Sequence, residues 1–402
     1  EIAQCLVGSE MCIRDRNIAE DHIIKFAFDT AQDLLKIGEN PIILDNEKED
    51  RKVDPSKFLK WLMPQINGDE MYYLLLDEVQ KLGAFESVLN GFLRNSNVDV
   101  YVTGNNSRFL SKDILTEFEG RGDEVHILPL SFSEYYAFIQ GDKSEAYDDY
   151  SVYGGLPAVA LMTTEEQKIT YLISQMKNVY LRDIILRYSV QDEAALGEVM
   201  DVIASGISTL TNPRKIASTM NSVHGTTTCD TTVDKYIGYA EEAFILTRVK
   251  RYNVKGRKYI GTPYKIYFED IGLRNARLAF RQIEGTHIME NIIYNELRFR
   301  GYQVDVGTVE SRERDAGGKE VRIQREIDFI ATLGSKKYYI QSAYAIPDKE
   351  KYEQETMSFE RTTDSFKKII IVEKSMKPRY DENGYLMMGV KEFLLDANSL
   401  LV

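Results

Sequence analysis

The sequence predicts an α/β protein whose N-terminal part is built on a parallel sheet. Two apolar runs carry that expectation. "MYYLLLDEVQ" (71–80) is continuously apolar and closes on two acids, the pattern of a strand buried on both faces. "VDVYVTG" (98–104) follows after the helical pattern "AFESVLNGFLRNS" (84–96). Strand, helix and strand succeed one another without a hairpin turn, which argues for parallel pairing.

Taken in order, "HIIKFAFDT" (22–30) alternates and ends on an acid, as a strand does, and "DTAQDLL" opens a helix. "SKFLKWLMPQI" (56–66) has helical spacing, with Asp54 and Pro55 as its start. The polar, acidic stretch 141–150 reads as a loop after "LPLSFSEYYAFIQ" (128–140), and helical patterns then run to about residue 206. "NPRKIASTMNS" (212–222) and "CDTTVDKYIGYAEEA" (229–243) read as two helices, followed by two strands around a Lys-Gly turn within 244–270. Helix, turn, helix and hairpin is the winged-helix order. From 287 onward, "HIMENIIYNELRFRG" is a helix; "QVDVGTV", "REIDFIAT", "KKYYIQSAY" and "KKIIIVEK" are strands, and "SFERTTDSF" supplies another helix.

At 402 residues the chain has room for two to four domains. Its net charge of −13, from 50 basic and 63 acidic residues, argues against wholesale coating of nucleic acid but leaves room for a local basic face. Cys5, Cys12 and Cys229 are too few for a disulfide framework or a zinc site. No apolar run approaches a membrane span, and residues 1–16 lack the features of a signal peptide, so cytoplasm is the expected location.

Asp77 and Glu78 fall where an apolar strand meets solvent, at the carboxyl edge where open α/β sheets bind ligands. An Asp there can hold magnesium, and a following Glu can polarise water for attack on a terminal phosphate. "YVTGNNSRFLS" (101–111) adds small hydrogen-bonding residues at the same edge, and Arg108 and Arg121 are candidates for stabilising phosphate charge.

"YYLLLDEVQ", "VTGNNSRFLS", "GR", "PLSFSEYYAF", "YGGLPAV" and "YLRDI", in this order, resemble the prokaryotic AAA-type ATPases with a conserved C-terminal domain of unknown function. The resemblance spans roughly residues 17–402. It implies ATP and magnesium as ligands, Asp77 as the metal-coordinating acid and Glu78 as the catalytic acid. It makes Asn105 or Asn106 the sensor of the adjoining strand, and Arg108 or Arg121 the phosphate-sensing arginine. Asn105 departs from the Ser commoner at its position in the family.

Such an ATPase needs G-x-x-x-x-G-K-[ST] ahead of the acid pair, and nothing before Asp77 matches. "CLVGSEMCIRDR" (5–16) resembles a translated transposon-type sequencing adapter, so residues 1–16 are expected to be an artefact. The family pattern then enters inside the helix of the phosphate loop. The expectation is an N-terminally truncated core, without its first strand, that binds ATP weakly or not at all. The parent protein is expected to be an ATP-hydrolysing molecular switch.

Arg248, Lys250, Arg251, Lys255, Arg257 and Lys258 crowd the hairpin beside Tyr252 and Tyr259, a pattern able to track a phosphate backbone. A non-enzymatic DNA-binding module is therefore the alternative function, and a winged helix also serves protein partners. "ENIIYNEL", "EIDFIA" and "YYIQSAY" resemble the restriction-endonuclease-like fold, in which Glu290 or Glu296 and Asp328 would hold metal. Where an acid-x-Lys pair is needed, the chain has Gln341 and Ala343, so a metal-dependent nuclease is the least favoured reading. The expected organisation is 17–140 partial P-loop NTPase-type core, 141–206 helical lid, 207–270 winged helix and 271–402 nuclease-like domain without nuclease chemistry.

Overall fold

The computed structural model describes residues 18–41, 52–104, 122–123, 125–224, 227–314 and 320–401, the side chains of 224, 311–314 and 322 apart. The adapter-like stretch 5–16 lies outside these residues. The chain divides into two compact units, Glu1–Ile127 and Leu128–Val402. The expected lid, winged helix and nuclease-like part all fall within the second.

The first unit is a parallel sheet of β1 (Ile23–Ala27), β2 (Tyr72–Asp77) and β3 (Val98–Val102), with β2 in the middle. Helices α1 (Ala31–Lys36), α2 (Pro55–Leu62) and α3 (Phe85–Phe92) connect the strands. The unbroken apolar run of β2 follows from its position. Leu74 and Leu76 join a core containing Phe26, Phe28 and Phe58, while Tyr73 and Leu75 pack on the opposite face with Ile18 and Tyr101. Helix α2 starts where the sequence placed it: Asp54 caps it by accepting from the Ser56 N–H at 2.8 Å, and Pro55 fills the first turn. Among the described residues β3 pairs with β2 alone, and its Val100 and Val102 remain half-buried.

The second unit opens with α4 (Phe132–Ile139) and α5 (Lys143–Tyr153). Helix α5 corrects the loop expected at 141–150. Asp142 accepts from the Ser144 and Glu145 N–H groups, and Ala146, Tyr147, Tyr150 and Tyr153 bury one helical face. The acids that suggested a loop lie among solvent-side positions, where Asp149 pairs with Lys168 at 2.5 Å. Four short helices follow, α6 (Pro157–Ala160), α7 (Glu165–Ser174), α8 (Arg182–Tyr188) and α9 (Glu193–Ser205), with a π-helical stretch Gln175–Leu181 before α8. Then come α10 (Pro213–His224) and α11 (Asp230–Glu242).

The hairpin of β4 (Leu246–Asn253) and β5 (Lys258–Phe268) does not stand apart as a free wing. It forms one edge of an eight-stranded mixed sheet, because β4 pairs in parallel with β6 (Gln303–Arg314). The sheet continues through β7 (Glu320–Leu333), β8 (Lys336–Ala343) and β9 (Lys367–Val372), and ends with β11 (Leu386–Gly389) and β10 (Arg379–Tyr380). Helices α12 (Ile271–Arg277), α13 (Gly285–Phe299), α14 (Lys349–Glu360) and α15 (Val390–Leu395) complete the unit. In the region expected as "SFERTTDSF" helix, α14 ends at Glu360, and Arg361 to Phe366 lie outside it.

The "YGGLP" motif is a close-packed joint. Gly154 has φ +75°, and the Asp270 carboxylate sits against its Cα while accepting from the Gly155 N–H at 2.7 Å. A Cβ on Gly155 would fall 2.2 Å from the Leu130 carbonyl.

Candidate functional site

Two polar constellations emerge, one in each unit. In the first, Asp77 is the last residue of the central strand and is half-buried. Thr103, just past β3, donates its hydroxyl to Asp77 Oδ1, and its own N–H bonds to the Leu76 carbonyl at 3.0 Å. Thr103 Oγ1 also lies 3.4 Å from the Glu78 nitrogen. Glu78 is 7% exposed and adopts left-handed backbone, φ 52°, a conformation costing a non-glycine residue about 1 kcal/mol. Such strain concentrates at functional positions. The Gln80 amide donates to Glu78 Oε2, while Gln80 Oε1 is buried without a protein partner. Burial raises the Glu78 carboxyl above its ordinary range. The Gln80 bond opposes that rise, and the charges of Asp29 and Asp77 add to it.

The chemistry of this group fits magnesium: Asp77 is a hard carboxylate ligand at the carboxyl end of the central strand, with one oxygen held by Thr103. Magnesium there would supply charge neutralisation. Glu78, with a raised proton affinity and a set orientation, is suited to accept a proton from water. Asn105, Asn106, Arg108 and Arg121 lie outside the described residues. Thr103 and Gln80 went unassigned in the sequence; a hydroxyl one strand over from the acid pair was the legible signal.

In the second unit the structure brings Glu290 of α13 and Asp328 of β7 together, around a residue the sequence reading missed. Lys265 Nζ of β5 lies 2.8 Å from Glu290, 3.3 Å from Asp328 and 2.6 Å from Glu326. Tyr267 donates to Glu290 at 2.7 Å, and the Ser342 N–H to Asp328 at 2.9 Å. Glu296 instead pairs with Arg300 at 2.7 Å. Gln341 donates to Glu355 at 3.1 Å, and Ala343 packs in an apolar cluster with Phe359. Burial works against the Lys265 ammonium, but the three carboxylates outweigh it and hold the amine well above the lysine range. Burial pushes Glu290 up to about 7. The signal for Lys265 was a single charge inside the apolar run "YKIYF".

Of the six hairpin cations, Arg248 and Arg251 are held within the fold, and Lys255, though exposed, donates to the Glu310 carbonyl at 3.1 Å. Arg248 pairs with Asp234 at 2.6 Å and Glu241 at 2.5 Å. Arg251 is buried and donates to the Pro263 carbonyl at 3.0 Å. Lys250, Lys255, Arg257 and Lys258 are exposed, as is Tyr259. Among the described residues no helix is long and apolar enough to cross a membrane.

Comparison with known proteins gives two matching family models, an AAA domain over residues 18–136 and a domain of unknown function (DUF8612) over residues 144–284. An uncharacterised protein of Haemophilus influenzae is 33% identical over 334 residues, covering 82% of this chain and 79% of that one. An uncharacterised protein of Methanocaldococcus jannaschii is 23% identical over 394 residues, covering 94% and 79%. Among solved structures, the chain is similar to a Walker-type ATPase of Pyrococcus abyssi with TM-score 0.39 and 10% identity, covering 64% of this chain and 91% of that one. It is also similar to a Vibrio cholerae protein with TM-score 0.22 and 13% identity, covering 82% and 90%. The chain belongs to the same family as the Haemophilus influenzae protein, and its residues 18–136 match an AAA domain.

Proposed function

We propose that the protein is an ATP-hydrolysing molecular switch whose chemistry sits at the carboxyl edge of β2. The observation that carries this reading is the acid pair: Asp77 pinned by Thr103 of the neighbouring strand, and Glu78 buried, strained and raised in proton affinity beside it. Asp77 would hold magnesium and Glu78 would take the proton of the attacking water. The phosphates need a backbone cradle and a lysine, G-x-x-x-x-G-K-[ST], which the sequence does not contain ahead of Asp77. Among the described residues no strand pairs with β3 on the side away from β2, and a further parallel strand leading into such a loop would pair there.

The test is magnesium-dependent ATP binding by the chain joined at residue 17 to a strand and phosphate loop. Asp77→Asn is expected to raise the magnesium requirement at least about tenfold, as loss of a metal ligand does. An unchanged magnesium requirement would contradict the assignment. A second reading, nucleic-acid contact by the hairpin tip, is favoured by the exposure of Lys250, Lys255, Arg257 and Lys258 around Tyr259. It would show as a salt-sensitive DNA affinity lost on neutralising those four cations.

A further inference from the structure

A cleft in the second unit carries an inference independent of the nucleotide site. Helices α9 and α10, the C-terminal part of β5 and the chain following α12 border an open space of about 480 Å³. Small-molecule pockets occupy roughly 300–1,000 Å³, so the cleft has room for a ligand of that size. Its lining is largely apolar: Ile203, Ile216 and Ile266 are buried, while Val223 is exposed.

The charge around this lining is one-sided. Lys215, in the first turn of α10, donates to the Leu210 carbonyl at 3.1 Å and meets no carboxylate among the described residues. Asp201, the carboxylate of the lining, is already held by Arg277 at 2.9 Å. Gln282 accepts the Ser205 hydroxyl through Oε1 at 2.8 Å, which leaves its amide N–H groups to donate.

A second cation lies next to the same wall. Arg274 is fully buried, and its guanidinium donates to the carbonyl of Gln282, a residue of the lining. It also donates to the Ala204 carbonyl at 2.7 Å, one residue before Ser205 of the lining, and to Asn275 Oδ1 at 3.0 Å. These acceptors are neutral, and Arg274 Nη2 is buried with no partner at all. Burial lowers the guanidinium to about 10, with the charge of Glu284 opposing, so it stays protonated at neutral pH. A buried cation without a bonded anion is a costly arrangement, which an anion held nearby relieves.

We propose that this cleft binds a small amphipathic anion, a carboxylate or phosphate group carried on an apolar body. Lys215 meets the anionic head, with the field of Arg274 behind it, and Ile216, Ile266 and Val223 hold the body.

The test is fluorescence titration of the full chain with anilinonaphthalene sulfonate, an anion on an apolar body. Wild type is expected to bind it saturably, and Lys215→Glu to weaken it at least about tenfold, as loss of a charge-assisted bond does. Val223→Asp is expected to weaken it as well. Both residues are exposed, so these substitutions leave the chain folded. Decanoate or decyl phosphate should displace the probe, and the tighter of the two names the head group. Decanol should displace it at least about tenfold less well. Probe held elsewhere on the chain is common to the variants and cancels in the comparison. Binding that is absent from wild type, or unchanged in Lys215→Glu or Val223→Asp, would overturn the proposal, as would decanol matching both anions.

Discussion

At the scale of single residues, neighbouring groups set the chemistry of a few carboxylates. The Thr103 hydroxyl holds Asp77 Oδ1 and approaches the Glu78 nitrogen, so it acts as an orienting group for the acid pair. In a chain that carries a phosphate loop, Thr103→Val is expected to weaken magnesium-dependent nucleotide binding about 10–100-fold, as loss of an orienting partner does. Isothermal titration would measure it. Glu290 gives a prediction of opposite character. Burial raises its folded-state value to about 7, above the unfolded value of 4.5, so the native chain binds the extra proton across that interval. The contribution of Glu290 to stability is therefore largest below pH 4.5 and falls as pH rises toward 7. Relative to wild type, Glu290→Gln should gain in melting temperature between pH 5 and pH 7, and a constant difference would contradict this. Thr103 and Lys265 each left a local signal in the sequence, but not the partners they hold. Thr103 sits 26 residues from Asp77 and Lys265 25 residues from Glu290, and only the sheet brings them together.

At the scale of elements, legibility followed the balance between local pattern and tertiary cover. β2 and β3 were plain because a strand enclosed on both faces needs an unbroken apolar run. Helix α5 was hidden because its buried face is made of Tyr147, Tyr150 and Tyr153, whose spacing is masked by Glu145 ahead of them and by Asp148 and Asp149 between them. The hairpin was found as two strands, but its partner β6 lies beyond α13, so its sheet edge read as a free wing. The "YGGLP" joint tests the packing directly. Gly155→Ala would force a methyl against the Leu130 carbonyl, which is itself tied down by its own N–H bonding to the Gly155 carbonyl at 2.8 Å. The expected cost is about 1–3 kcal/mol or more, read as a lowered midpoint in urea. A midpoint unchanged from wild type would show that the joint is looser than described.

At the scale of the whole molecule, the chain carries separate cores. One large cluster runs from Phe132 to Leu400, and another is confined to Ile24–Val98. Residues 128–402 alone are therefore expected to give a cooperative thermal transition, whereas a non-cooperative melt would mean that the unit depends on the AAA domain. The AAA domain was legible because its acid pair, its adjoining polar strand end and the later motifs occur in a fixed order. Asn105, Asn106, Arg108 and Arg121 fall outside the described residues, so sequence alone still places them. The most direct test of the central claim is ATP turnover by the chain joined to a phosphate loop, wild type against Glu78→Gln. The account predicts that nucleotide binding is retained and turnover falls at least about 100-fold, the contribution of a positioned general base. Turnover that survives Glu78→Gln would contradict it.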